Sequence, residues 1–224
     1  MPRPAKILLL LVFFLPFTLA PSAGAPTQAE AAPSRLAAEV AELVTAQNVE
    51  ALRAKGEGIL PILVDLYRRA DVPGRANLAW IFYQLAWPSE AAKIALMADI
   101  HTEDESLRLQ VQWALGRVSS DDAVVDALFE NLQHDKNALF RNKAACGLAN
   151  DQIHLSEKQK VRLYQRTIAL LESPVPEMRL LSMMMLNTMT GQTKGFIPGA
   201  PPEMRAPVVA AWKEWLAEYE RNVE

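Results

Sequence analysis

The chain holds a single cysteine, Cys146, among 224 residues. No internal disulfide can form, so stability has to come from helix or sheet packing alone, even in an oxidising compartment. No stretch alternates apolar and polar residues over the length of a strand, so the period-2 signal of a half-buried sheet is missing. Basic residues do not dominate: 23 Lys and Arg stand against 26 Asp and Glu, a net charge of −3. Nucleic-acid binding needs a basic stripe to neutralise phosphates, and none is present. No Gly-rich phosphate loop and no nucleophile motif occurs, so the sequence offers no catalytic constellation and no reason to expect an enzyme.

What is present begins with an apolar run. Arg3 and Lys6 precede Ile7 to Ala20, which contains Pro16. The run is short, and its charged start suits the core of an export signal better than a membrane span. Ala29-Glu30-Ala31 offers a small-x-small cleavage site; an uncleaved anchor is the alternative. No cysteine lies nearby, so lipidation at the signal is excluded. Residues 1–31 are therefore read as signal peptide and leader, and residues 21–33, rich in Ala, Pro and Ser, as unstructured. The expected location is the periplasm or the exterior of a bacterial cell, with no membrane span after signal removal.

The remainder is dominated by Ala, Leu, Glu, Arg and Gln, which favour helix. Residues 32–47 are read as a flexible start and a first helix over Leu36 to Ala46. A second opens at Asn48, a good N-cap, before Gly56 and Gly58 interrupt. From there the sequence keeps a period. Arg75, Arg108 and Arg141 are 33 residues apart, and Arg179 follows after 38. A fixed period of this size is the signature of stacked repeats. Asp71, Asp104 and Asn137 each precede their Arg by four residues and can accept hydrogen bonds from a helix start. Pro88-Ser89 and Ser120-Asp121 mark starts of the alternate helices. Those helices carry Ile59, Ile62, Leu63 and Leu66, then Ala92, Ala95, Leu96 and Asp99, then Val125, Leu128, Phe129 and Leu132. In the Arg-bearing helices, positions 3, 7 and 10 after the Arg hold Leu78, Phe82 and Leu85, then Val111, Leu115 and Val118. These spacings lie on one helical face. The extra five residues before Arg179 fit a longer loop around Ile153 to Lys158.

The segment DESLRLQVQWALGRV, with Arg108, Ala114, Leu115 and Gly116, resembles the second helix of a HEAT-like repeat of the short, phycobilisome-lyase type; Arg75, Arg141 and Leu148 match as well. The tail resembles a closing segment found after bacterial HEAT-like arrays, through Thr190-Gly191, Gly195-Phe196, Ala200 to Glu203, Trp212 and Trp215. Ile197 stands where an acidic residue often precedes the first Pro. The resemblance implies an all-α fold: an α-solenoid of stacked helix pairs over residues 48–191, with residues 192–224 forming a C-terminal capping helix. Trp212 and Trp215, three apart on one helix face, are expected to cover the open end that such an array must shield.

Several residue groups invite chemical readings. The Arg row is read as structural stitching between neighbouring units rather than as an anion-binding row. His101 and His134 would sit about 10 Å apart in stacked repeats, too far for one metal ion with bonds near ~2 Å. The HEAT-like hydroxylases that hold iron use His-Glu pairs, and this chain has none. Met183, Met184, Met185 and Met189 suggest Cu(I), but successive helical residues point in different directions, so core packing is the better reading. Cys146, among Ala144, Ala145 and Gly147, reads as a small apolar residue. No metal and no cofactor is expected.

One stripe stands out. Position 5 after each Arg holds Trp80, Trp113, Cys146 and Met184, away from the core phase. Around it lie Asn77, Gln84, Gln110, Arg117, Lys143 and Asn150. Aromatic anchors with polar rims are what binding surfaces use. Trp80, Trp113, Met184, Asn77, Gln84, Gln110, Arg117 and Lys143 are therefore the candidate partner-binding residues. The competing reading is that both Trp side chains lie flat and pack between repeats. The expected function is an exported scaffold that binds a protein or peptide partner on its concave face. The alternative is a lyase-like enzyme subunit or a chaperone for a prosthetic-group protein.

Overall fold

A computed structural model describes residues 28–223, and the export-signal reading of Ile7 to Ala20 lies outside them. The described chain is helical and contains no strand. In order it forms α1 (Gln28–Thr45), α2 (Val49–Ala54), a 3-10 turn (Glu57–Ile59), α3 (Leu60–Arg69), α4 (Val72–Leu85) and α5 (Glu90–Met97). There follow α6 (Glu105–Val118), α7 (Asp122–His134), α8 (Ala138–Asn150), α9 (Glu157–Leu170), α10 (Pro176–Thr190) and α11 (Pro202–Val223). Helix α1 starts inside the stretch read as unstructured, where Gln28, Ala29, Glu30, Ala31 and Ala32 are all helix-favouring residues.

The helix starts are set by side chains. Asn48, Asp71, Ser89, Asp104, Asp121, Asn137 and Ser156 each accept a hydrogen bond from a backbone N–H two or three residues on. This satisfies a donor that the helix leaves free, and each such cap contributes about 1 kcal/mol. Ser156 and Gln159 add a reciprocal capping box at α9. Helix α4 ends on Ala86 and α10 on Gly191, both left-handed, with φ of 56° and 70°.

Each helix packs chiefly on its neighbours. Helix α4 lies against α6, α6 against α8, and α8 against α10, so the Arg-bearing helices form a row. The helices between them lean on that row: α3 on α4 and α5, α5 on α6, α7 on α8, and α9 on α10. Leu78, Phe82, Leu85, Val111, Leu115 and Val118 are all buried, as are Leu63, Leu96, Leu128 and Phe129 from the alternate helices. These residues belong to one apolar cluster that runs from Val40 to Met185.

A second cluster closes the C-terminal end. Helix α11 packs on α9 and inserts Val209, Trp212 and Leu216 among Val161, Tyr164, Ile168, Leu171, Leu186 and Phe196. Trp212 is 0 % exposed. Its ring meets Trp215 edge-on at 5.5 Å between centroids, and Lys194 places its ammonium 5.1 Å from the Trp212 ring centre. Burying one such aromatic removes about 150–250 Å² from water.

The loop between α8 and α9 folds back over the end of α6. Asp151 is buried and accepts from Arg117 Nε at 3.1 Å. His154 Nε2 lies 3.3 Å from the Ala86 carbonyl and 2.8 Å from the Arg117 carbonyl. The approach is close enough that a Cβ at Gly116 would stand 2.7 Å from the Asp151 carbonyl oxygen.

Candidate interaction face

The periodic Arg side chains bridge neighbouring segments of the helical packing. Arg75 reaches Asp99 at 3.6 Å, and Arg108 pairs with Asp135. Arg141 grips the Glu177 carboxylate with both Nη2 and Nε, at 2.7 to 3.1 Å. Arg179 Nε donates to the Pro198 carbonyl at 2.7 Å. Arg141 and Arg179 also share a local geometry: each Nη1 donates to the carbonyls five and six residues back. Charge-assisted bonds of this kind fix orientation as well as adding energy. Arg75, Arg108 and Arg141 face carboxylates and Arg179 faces carbonyls, while the Nε atoms of Arg75 and Arg108 are buried without a hydrogen-bond partner among the described residues. Asp99 also accepts from the Tyr67 hydroxyl at 2.7 Å; burial and that bond push the Tyr67 phenol well above its ordinary range. Burial holds the Arg108 guanidinium below its usual value.

The stripe at the fifth position is neither fully buried nor free. Trp80, Trp113 and Cys146 are half-buried, and Met184 is 48 % exposed. Met183 and Met185 point into the core instead, which splits the methionine run as helix geometry demands. Trp80 touches the main apolar cluster with one side and lines an open groove of about 710 Å³ with the other. Asn77 and Gln110 border the same groove, as do Gln47, Asp104 and Ser106. Asn77 is held by Gln47, whose Nε2 donates to its Oδ1 at 2.6 Å, while its own Nδ2 donates to the Val44 carbonyl at 3.0 Å. The Gln110 Oε1 atom is buried without a hydrogen-bond partner.

Trp113 sits in a second group. Its ring is tilted against Tyr83 at 6.3 Å, and Lys143 from α8 holds its ammonium 5.3 Å from the Trp113 ring centre. Arg117 covers the Tyr83 ring at 4.1 Å while bonded to Asp151. No contact among the described residues brings Gln84 into this group; its backbone carbonyl instead accepts from Arg53 Nη2 of α2 at 2.6 Å. Cys146 and Met184 line a third, shallow cleft between α8 and α10, with Asn142 and Leu181. The stripe is thus three adjoining pieces on one helical row.

Sequence reading did not single out Gln47 or Ser106, and saw Asp104 only as a helix cap. Gln47 reaches the groove through a left-handed turn, φ 52°, between α1 and α2, which no local pattern announces. His101 and His134 border a separate depression of about 390 Å³ beside Arg108 and Phe140. Among the described residues no group of three or more His, Cys, Asp or Glu could hold a metal ion, and no helix is long and apolar enough to cross a membrane. Comparison of the chain with protein-family models and with the curated proteins finds no match.

Proposed function

We propose that this chain is an exported scaffold of HEAT-like repeats, an α-solenoid closed by α11, that holds a protein or peptide partner against the face formed by α4, α6, α8 and α10. The observation that carries this reading is the placement of Trp80 and Trp113. They lie on adjacent, mutually packed helices, each half-buried and each edged by polar side chains. A Trp that is anchored on one side and open on the other supplies contact area with little ordering cost. The row of α4, α6, α8 and α10 with the other helices leaning on it, the Arg bridges and the apolar burial of α11 support the stacked architecture. The charged start and apolar run before residue 21 support export.

The test is capture of partners from envelope extract by residues 32–224, compared with the Trp80→Ala/Trp113→Ala double variant. The expected result is a defined partner that the folded double variant fails to retain. An identical captured set for both proteins would overturn the assignment of the face. Mass spectrometry of the native protein checks export: a mature N-terminus beyond Ala20 is expected, and a product that retains Pro2 in the cytoplasm would refute it.

A further inference from the structure

The two tryptophans on this face are equivalent by register, 33 residues apart, yet their surroundings differ in charge. Trp113 has a cation from within the chain: the Lys143 ammonium stands 5.3 Å from its ring centre. The residue that occupies the position of Lys143 one repeat earlier is Gln110, and Gln110 borders the groove of Trp80. Among the described residues, no Lys or Arg lies over Trp80. Trp80, of the residue type that binds cations best, therefore lines the groove with no cation of the described chain over its ring.

The rim carries the complementary change. Asp104 lines the groove of Trp80, whereas its register equivalent for Trp113 is the neutral Asn137. One Asp104 oxygen accepts from the Leu107 N–H at 2.8 Å. No Lys or Arg pairs with this carboxylate among the described residues. At this one register position, the site with its own cation carries an amide, and the groove without one carries a carboxylate.

Resting on the interaction-face reading above, we propose that the Trp80 groove binds a lysine or arginine side chain of an extended segment of the partner protein. The cationic head lies over the Trp80 ring with the Asp104 carboxylate at its side, in the arrangement that Lys143 adopts on Trp113. Gln110 and Asn77 form the polar edge of the groove, with the Asn77 amide held in place by Gln47 and the Val44 carbonyl.

The test is NMR titration of the Trp80 indole N–H with the peptide Ac-Ala-Lys-Ala-Lys-Ala-amide, alongside the same peptide with glutamate or norleucine for lysine, and alongside choline. The lysine peptide is expected to shift the Trp80 signal saturably, and the other two peptides to bind at least tenfold more weakly. Gln110→Lys is the decisive variant. It installs the internal cation that Trp113 already has, and is expected to abolish lysine-peptide binding without lowering the melting temperature. Asp104→Asn, which keeps the helix cap, is expected to weaken binding several-fold. Equal binding of the lysine and norleucine peptides would overturn cation recognition while leaving the interaction face intact. Choline binding as tightly as the lysine peptide would overturn the polypeptide source. Undiminished binding by a folded Gln110→Lys variant would overturn the site. Absence of any lysine-peptide shift would overturn the proposal even if partner capture still depends on Trp80.

Discussion

Replacing Gly116 by Ala sets two effects of opposite sign against each other. Gly116 lies in α6, two residues before its end, and Ala is favoured over Gly in a helix by about 1 kcal/mol. On propensity alone the variant would be more stable. The added Cβ, however, would stand 2.7 Å from the Asp151 carbonyl oxygen, 2.8 Å from its carbon and 2.9 Å from Gln152 Nε2. A carbon–oxygen contact normally needs about 3.3 Å, so backbone has to move. That backbone is tied down. The Asp151 carbonyl accepts from the Ile153 N–H at 2.9 Å, its carboxylate accepts from Arg117, and His154 reaches two carbonyls on earlier helix ends. Overpacking of this kind costs about 1–3 kcal/mol, and displacing one or two of those hydrogen bonds adds about 1 kcal/mol each. The net expectation is a loss of about 1–4 kcal/mol, read as a melting temperature lower by about 2–4 °C per kcal/mol in a domain of this size. Gly58→Ala is the control, since no heavy atom lies within 4 Å of its Cβ; it should be neutral or slightly stabilising. A Gly116→Ala protein that melts at or above the parent would show that the loop yields freely and that the reasoning is wrong.

Trp212→Ala should lower unfolding free energy by about 3–5 kcal/mol, the range for emptying a large aromatic site; a shift under about 1 kcal/mol in chemical denaturation would mean that α11 does not close the second apolar cluster. Arg141→Lys should cost on the order of 1–3 kcal/mol, because an ammonium cannot reproduce the two-pronged hold on Glu177; unchanged stability would reduce the Arg links to surface contacts. Burial pushes the Asp151 carboxyl above its ordinary value despite the opposing pull of Arg117. The folded state therefore takes up this proton before the unfolded chain does, so the ionised group costs stability at neutral pH and that cost fades as pH falls through the folded-state pKa. Relative to Asp151→Asn, the parent should gain stability as pH falls from neutral through the folded-state pKa; a relative loss over that fall would refute the sign.

Much of the helical layout was legible because its signals are local. Asp71, Asp104 and Asn137 marked three helix starts, and each side chain caps the helix it was assigned to. The phase counted from each Arg separated Leu78, Phe82 and Leu85 from Trp80, and the first three are buried while Trp80 is half-buried. What stayed hidden depends on neighbours in space. The sequence left open whether the Trp side chains are exposed or packed flat. Both are half-buried: Trp80 touches the core on one side and a groove on the other, while Trp113 lies against Tyr83 with the Lys143 ammonium near its ring. The partition of the stripe into three pieces follows from Lys143 and Arg117 lying over aromatic rings, which requires the distance between adjacent helices. The start of α1 at Gln28 was missed because proline and serine around it masked a helix-favouring run.

The His154 contacts bear on how this chain comes apart. Where helices touch only adjacent helices, unfolding can run in from an end, one unit after another, and stability approximates a sum of units and nearest-neighbour junctions. Here a side chain between α8 and α9 bonds to Ala86, 68 residues back at the end of α4, and to Arg117, 37 residues back near the end of α6. Both partners are carbonyls, so Nε2 carries the hydrogen. One imidazole thus ties the loop between α8 and α9 to the ends of both α4 and α6, a link that reaches past the adjacent helix. Loss of the loop would free the ends of α4 and α6 at the same moment, and the middle of the molecule would open as a block, visible as a set of amides from three helices that exchange with one common rate.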